Sequence, residues 1–309
     1  MNPSKTVFVT PTFARDLDRF VLQRESIERC GIDIPHIAVV NHEDLPQFAG
    51  LPHRKNLTVI STADALPARF ETRRKLWGVR RRNHPRHWFS GRGIHGWGIQ
   101  QLLKLAAPAY TDAESIICLD SDLFFVDRVT AEDFTAADGR LHLYETEDDL
   151  DAQMAEWHAH ALRFLGLPTM GQAPRRYTHA PVPWRRDVLL DLHRFIEQEH
   201  CRSWMDAVID ADSIAEYTLY GTYGRHIDGL NRVVPARPNL TLYYWWPGNE
   251  ETIESKFHER LAASNAKAVL VNSNLDRPAA SYRALAECAW MTRQIKSSAR
   301  RNAETLEQA

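Results

Sequence analysis

The chain reads as an α/β protein, a mostly parallel, twisted sheet flanked by helices in a single domain. Three observations predict this. The first 62 residues alternate strand, helix, strand, turn and strand, the opening of a doubly wound sheet. The apolar run at 115–127 has the length and bounds of a strand buried on both faces, as parallel strands are. With 309 residues, 44% hydrophobic and 25% charged, the composition is that of an ordinary globular chain able to bury a sizeable core.

Residues 5–10, KTVFVT, form the first strand, broken by Thr10-Pro11-Thr12. From about residue 16 to 30, Leu17, Phe20, Val21 and Ile27 recur at helical spacing, and Gly31 is a helix stop. Residues 34–40 and 57–62 are the next strands. The strand ends Thr10, Asn41 and Ser61 are then expected along one edge with Asp120 beside them, the edge where open α/β sheets bind ligands. A short helix over 99–107 ends near Pro108. After the apolar run, 141–146 reads as a strand and 150–165 as a helix whose dipole Glu147, Asp148 and Asp149 oppose. Residues 168–183 read as an irregular, aromatic connection. The amphipathic helix 187–199 buries Val188, Leu189, Leu192, Phe195 and Ile196. Residues 240–246, LTLYYWW, and 268–274 are further strands, 279–297 a closing helix, and 298–309 a polar, frayed tail.

The net charge of −2 selects no partner, and no apolar run is long enough to cross a membrane. The first residues lead into a strand rather than a secretory apolar region. Cys30, Cys118, Cys201 and Cys288 are far apart with no CxxC, which argues against a zinc site or a disulfide framework and for a reducing, cytoplasmic setting. Nine basic residues crowd into 69–92: Arg69, Arg73, Arg74, Lys75, Arg80, Arg81, Arg82, Arg86 and Arg92. They suit a solvated loop or helix face, or an anion-binding segment for a diphosphate or acidic acceptor. The stretch Arg73–Arg82 is also where a peripheral contact with the inner face of a membrane would fall. No nucleic-acid module is present, so no nucleic-acid partner is expected. GRGIHGWG at 91–98 is a flexible, close-approach loop that does not match a P-loop.

The chemistry sits in SIICLDSDLFFVD, residues 115–127. Burying an ionised carboxylate is costly, so Asp120 and Asp122 inside an apolar run need a reason. In an extended backbone they share one side. Two hard oxygen donors facing one way suit Mg2+ or Mn2+ held together with substrate phosphates. The same letters fit an Asp/Ser turn whose carboxylates cap backbone N–H groups. A second constellation is DSIAEYTLYG, residues 212–221, where Asp212, Glu216 and Tyr220 share a helix face. A carboxylate delivered into a cleft can deprotonate a hydroxyl, with Glu216 the first choice and Asp212 the second. The alternative is a buried Glu216 that holds an arginine or a backbone amide.

Thr10-Pro11-Thr12, Trp97 with Gln100-Gln101 and Lys104-Leu105, Pro108, Asp120-Ser121-Asp122 and Glu216-Tyr217-Thr218-Leu219-Tyr220-Gly221 follow one another in an order that resembles nucleotide-sugar glycosyltransferases of the GT-A fold. More narrowly, the chain resembles an uncharacterised bacterial family of GT-A-like proteins, the DUF6492 type, over roughly residues 5–275. The resemblance implies a GT-A-like catalytic domain over 1–297, with 1–127 the nucleotide-binding half and 128–297 the acceptor-binding half. It implies a metal-dependent transfer of sugar from a nucleotide-sugar donor to a glycan or lipid-linked acceptor, in bacterial surface polysaccharide synthesis. Asp120 would lie near the ribose and the metal, and Asp122 would be the main ligand of Mn2+ or Mg2+. Thr10 and Pro11 would touch the nucleoside, and Lys104 or Gln101 would face the nucleotide from the helix. A later histidine completes the metal shell in many such enzymes, and His258 and His226 are the candidates here. Inverting stereochemistry would rest on Glu216. Two rivals stand beside this reading. One is a haloacid-dehalogenase-like phosphatase, whose motif normally opens its fold, whereas three strands precede it here. The other is a binding protein that keeps the fold without turnover.

Overall fold

The computed structural model describes residues 5–83, 96–148, 150–211, 214–244, 250–272 and 279–307. In chain order the elements are β1 (Thr6–Pro11), α1 (Leu17–Arg29), β2 (His36–Val40), α2 (Leu45–Ala49), β3 (Leu57–Ser61), α3 (Thr62–Ala65), α4 (Ala68–Asn83), α5 (Gly96–Leu105), β4 (Ser115–Cys118), β5 (Leu123–Phe125), β6 (Leu141–Tyr144), α6 (Ala152–Phe164), β7 (Val182–Arg185), α7 (Arg186–His200), α8 (Trp204–Asp210), α9 (Glu216–His226), β8 (Val233–Ala236), β9 (Thr241–Tyr244), α10 (Glu250–Ala263), β10 (Ala268–Val271) and α11 (Ala279–Glu307).

The central sheet has the order β3-β2-β1-β4-β7. Its first four strands run parallel and β7 runs antiparallel to β4. Val9 lies opposite Cys118, and Val40 opposite Ser61, so the four parallel strands end along one edge. Every residue of β1 is buried, as two-sided burial of a parallel strand requires. The crossover helix α1 stops at a glycine: Gly31 takes φ +62, and the Gly31 and Ile32 amides donate back to the Glu28 and Ile27 carbonyls. That reversal returns the chain to β2 alongside β1.

Several expectations change in the structure. The run 115–127 is not one strand. β4 ends at Cys118, and β5 belongs to a second sheet, β5-β10-β9, where it pairs antiparallel with β10. The strand over 141–144 leaves the central sheet and pairs with β8. The irregular connection hides β7, whose Pro183 is tolerated because β7 is the sheet's edge strand. The closing helix does not fray at 298 but runs to Glu307, through a segment without glycine or proline. Of the two forms expected for the basic stretch, loop or helix face, it begins as the helix α4. The glycine-rich residues 91–95 and the end of the aromatic strand, Trp245 and Trp246, lie outside the described residues.

The main core lies between the central sheet and α5, α7, α8 and α9. A second core joins Phe124 and Val126 to α10 and α11 through Phe257, Leu261, Tyr282 and Trp290. From Glu216 to Gly224, every residue of α9 is buried. A close approach explains Gly221 there: a Cβ would sit 2.2 Å from the Tyr177 ring. Among the described residues no helix is long and apolar enough to cross a membrane.

Candidate active site

The Asp120-Ser121-Asp122 segment is a tight turn, not an extended strand. The Leu123 amide donates to the Asp120 carbonyl at 3.1 Å, closing a four-residue turn. The same-side placement expected from strand alternation therefore does not apply; Ser and Asp have taken their turn-forming role instead. The turn sits at the C-terminal edge of the parallel strands, just past the end of β4, the edge where open α/β sheets bind ligands. The Val271 amide, at the end of β10, donates to the Asp122 carbonyl at 3.2 Å.

Lys104 joins the two carboxylates that the sequence offered separately. Its ammonium donates to Asp120 Oδ1 at 2.8 Å, to Glu216 Oε1 at 2.9 Å and to Tyr217 Oη at 2.7 Å. An ammonium has three protons, and all three are placed. The Tyr217 hydroxyl then donates to the same Asp120 oxygen at 3.3 Å. The Lys104 and Glu216 side chains are 7% and 6% exposed, while that of Asp120 is 31% exposed. Asp120 is thus the member that faces outward. Burial works against the charge on Lys104, but Asp120 and then Glu216 outweigh it and hold the ammonium well above the usual lysine range. Burial, reinforced by Asp120, keeps the Tyr217 phenol protonated far above its ordinary range. Local structure supports these placements. Glu216 is the first residue of α9, where the helix dipole favours an anion. Trp184 of β7 stacks on Tyr220 and meets Tyr217 edge-on at 5.6 Å.

The other predicted residues fall as follows. Gln101, one turn before Lys104 on α5, is buried. Thr10 does not reach an open edge: it is fully buried, with its hydroxyl donating to Gln23 and facing His36, and Pro11 beside it is buried too. His258 lies exposed on α10 and shares a 2.8 Å hydrogen bond with Thr292 of α11; no described contact joins it to Asp120. His226 ends α9, the far end from Glu216. Asp212 lies outside the described residues. The first members of the basic stretch face this chain's own acids. Arg69 pairs with Asp206, Arg73 with Asp210, Arg74 with Glu43 and Glu71, and Lys75 with Glu71. Sequence reasoning missed Tyr217 as a partner of Asp120 and did not see that Lys104 bridges the two acids. The available signal was a lone lysine in the apolar stretch LLKLAA, since a lysine is almost never fully buried unless paired.

Among the described residues no group of three or more His, Cys, Asp or Glu gathers into a metal cluster. The donor set nevertheless fits a hard divalent cation of the Mg2+ kind. Such ions take one or two carboxylates and complete their shell with water and substrate phosphates. Lys104 and Tyr217 both bind Asp120 through Oδ1, which leaves Oδ2 outside that bonding.

Fold and site together define a class: a mixed α/β protein with a mainly parallel central sheet, carrying a carboxylate turn at the C-terminal edge of its parallel strands. The chain belongs to DUF6492, described as a family of unknown function, whose model matches residues 9–277. No curated protein matches it. Similar solved structures include the galactosyltransferase LgtC in complex with donor and acceptor sugar analogs, at 14% identity and TM-score 0.47, covering 91% of this chain and 95% of that one. Mouse xyloside xylosyltransferase 1 is similar at 9% identity and TM-score 0.49, over 88% of this chain and 99% of that one. The bifunctional glycosyltransferase WbbM is similar at 13% identity and TM-score 0.47, over 87% of this chain and 46% of that one. Likenesses this distant lend no role to any residue.

Proposed function

We propose that the chain is a metal-dependent glycosyltransferase of the GT-A type, moving a sugar from a nucleotide-sugar donor to a glycan or lipid-linked acceptor. The observation that carries this reading is the outward-facing Asp120 at the sheet's ligand-binding edge, tied through Lys104 to a buried Glu216 on a different element. In this reading residues 1–127 hold the nucleotide and 128–297 the acceptor. Asp120 and Asp122 would hold Mn2+ or Mg2+, which neutralises charge on the departing diphosphate. The protein's part is positional. Lys104 and Tyr217 hold Asp120 through Oδ1, which would leave Oδ2 for the ligand. Glu216, anchored to Lys104 through Oε1, takes the acceptor hydroxyl's proton at Oε2. The acceptor oxygen then bonds to the anomeric carbon as the carbon–oxygen bond to the diphosphate breaks, with inversion. A cytoplasmic enzyme of bacterial surface polysaccharide synthesis is the setting this reading favours.

The test is a thermal-shift panel of UDP, GDP, CMP and their common sugar conjugates, with and without Mn2+, on wild type and Asp122→Ala. Ligands that bind the folded state raise its apparent melting temperature by mass action. A shift that needs Mn2+ and vanishes in Asp122→Ala supports the reading and names the donor's base. No shift with any nucleotide overturns it, and turnover of a generic phosphate ester would then favour the phosphatase.

A further inference from the structure

We infer that a buried relay of four side chains, Arg24, His36, Thr10 and Gln23, fixes the Asp120–Leu123 turn, making Gln23 a positioning residue for the site. The inference rests on the turn being the donor site, as proposed above.

The relay starts from the turn's own backbone. Among the described residues β5 has a strand neighbour only on its β10 side, and Asp120 lies between two sheets, so carbonyls at both ends of the turn lack ladder partners there. Gln23, on α1, supplies them. Its Nε2 donates to the Asp120 carbonyl at 2.7 Å and to the Leu123 carbonyl at 3.1 Å. One amide thus clamps the first and last residues of the turn. Its Oε1 accepts from Thr10 Oγ1 at 3.2 Å. Having given its proton away, the Thr10 hydroxyl accepts from His36 Nε2 at 2.8 Å. That sets the Nε2–H tautomer, and Nδ1 then accepts from Arg24 at 3.0 Å. Arg24 also donates to the carbonyls of His53, at 3.1 Å, and Lys55, at 2.6 Å.

The direction is forced at both ends, because a guanidinium only donates and carbonyls only accept. Every proton in the relay therefore points from Arg24 toward the turn, and neither the Gln23 amide nor the His36 ring can flip without losing bonds. All four side chains are 0% exposed. Polar groups this deep are costly unless their partners are complete, and complete networks specify a single geometry. Ser26, one turn further along α1, extends the grip: its Oγ accepts from the Phe125 amide at 2.9 Å and donates to the Gln23 carbonyl at 2.6 Å. α1 therefore serves as the missing neighbour for the backbone of Asp120, Leu123 and Phe125.

The experiment uses the full chain, with Gln23→Met to remove both donors and Thr10→Val to remove the hydroxyl at nearly constant shape. Two quantities are measured: amide hydrogen exchange at Leu123 relative to Val7 and Val9 in the same molecule, and Mn2+ affinity by electron paramagnetic resonance. In Gln23→Met, Leu123 exchange is expected to rise about tenfold over the β1 reference and Mn2+ affinity to fall about tenfold, the scale of a buried group left without its partner. Thr10→Val should move both in the same direction by less, and keeps the test open should Gln23→Met fail to fold. If Leu123 exchanges only in proportion to β1 and Mn2+ affinity stays at the wild-type value, Gln23 is ordinary core and the inference falls. If wild type binds no Mn2+, the donor-site reading falls, and the exchange ratio alone decides whether the relay holds the turn.

Discussion

Lys104 and Arg24 are two buried cations linked to Asp120, the first directly through its carboxylate and the second through His36, Thr10 and Gln23 to its carbonyl, and they are held in opposite ways. Lys104 meets Asp120, Glu216 and a phenol. Arg24 meets two backbone carbonyls and an imidazole, and passes its influence on through neutral groups. Burial opposes the charge on both. At Lys104 the two carboxylates overturn that effect and raise the ammonium; at Arg24 only Glu28 pulls upward, burial wins, and the guanidinium falls to about 10. The contrast separates two jobs. The Lys104 side is a balance of charges, one that any further ion placed beside Asp120 would disturb. On the Arg24 side the cation faces no carboxylate hydrogen-bond partner, and the groups between it and the turn are neutral scaffolding.

The largest expected effect breaks the charged side. Lys104→Met leaves Asp120 and Glu216 beside each other without a cation and should cost about 3–5 kcal/mol in urea denaturation. Adding Glu216→Gln should return part of that loss; a single mutant as stable as wild type would dissolve the contrast. The next effect is acid lability, and it arises from neither cation. His193 donates from Nε2 to the Leu105 carbonyl at 3.0 Å and stacks flat on Trp204 at 3.9 Å. Burial pushes its ring down to about 4. The unfolded ring protonates near 6.5 and the folded one near 4, so the stability present above about pH 6.5 is lost as pH falls toward 4, by up to about 3 kcal/mol. His193→Gln should flatten that part of a melting-temperature profile.

Arg24→Met comes third, at about 1–3 kcal/mol, because it strands neutral acceptors rather than charges. A cost equal to that of Lys104→Met would show the two sides to be alike. Tyr217→Phe is the smallest, about 1 kcal/mol, since Lys104 keeps both carboxylates when the hydroxyl is gone. Chemical denaturation resolves both.

The sequence made the frame legible where hydrophobic period speaks for itself: β1 to β4, their parallel order, and Asp120 at their shared edge. Asp120 and Glu216 were each legible as costly carboxylates. Their junction was not, because Lys104 lies on a third element and only the packing of α5 between β1 and α9 brings the three together. Gln23 and His36 were overlooked for a related reason. Gln23 falls three residues after Phe20 and four before Ile27, on the apolar face of α1, where a polar residue signals a partner across the core. The turn was misread because Asp-Ser-Asp obeys strand alternation and turn chemistry equally well. β7 was hidden by Pro183, a proline that an edge position permits.

The turn is also a splice. β4 belongs to one sheet and β5 to another, and residues 119–122 are the short covalent step between these two strands. Two residues past the turn, the Phe125 carbonyl accepts from the indole of Trp290 on α11 at 2.9 Å. Through the three residues of β5, the backbone of the turn is thereby fastened to the C-terminal helix, so the last helix of the chain helps to hold the strand that leaves Asp120.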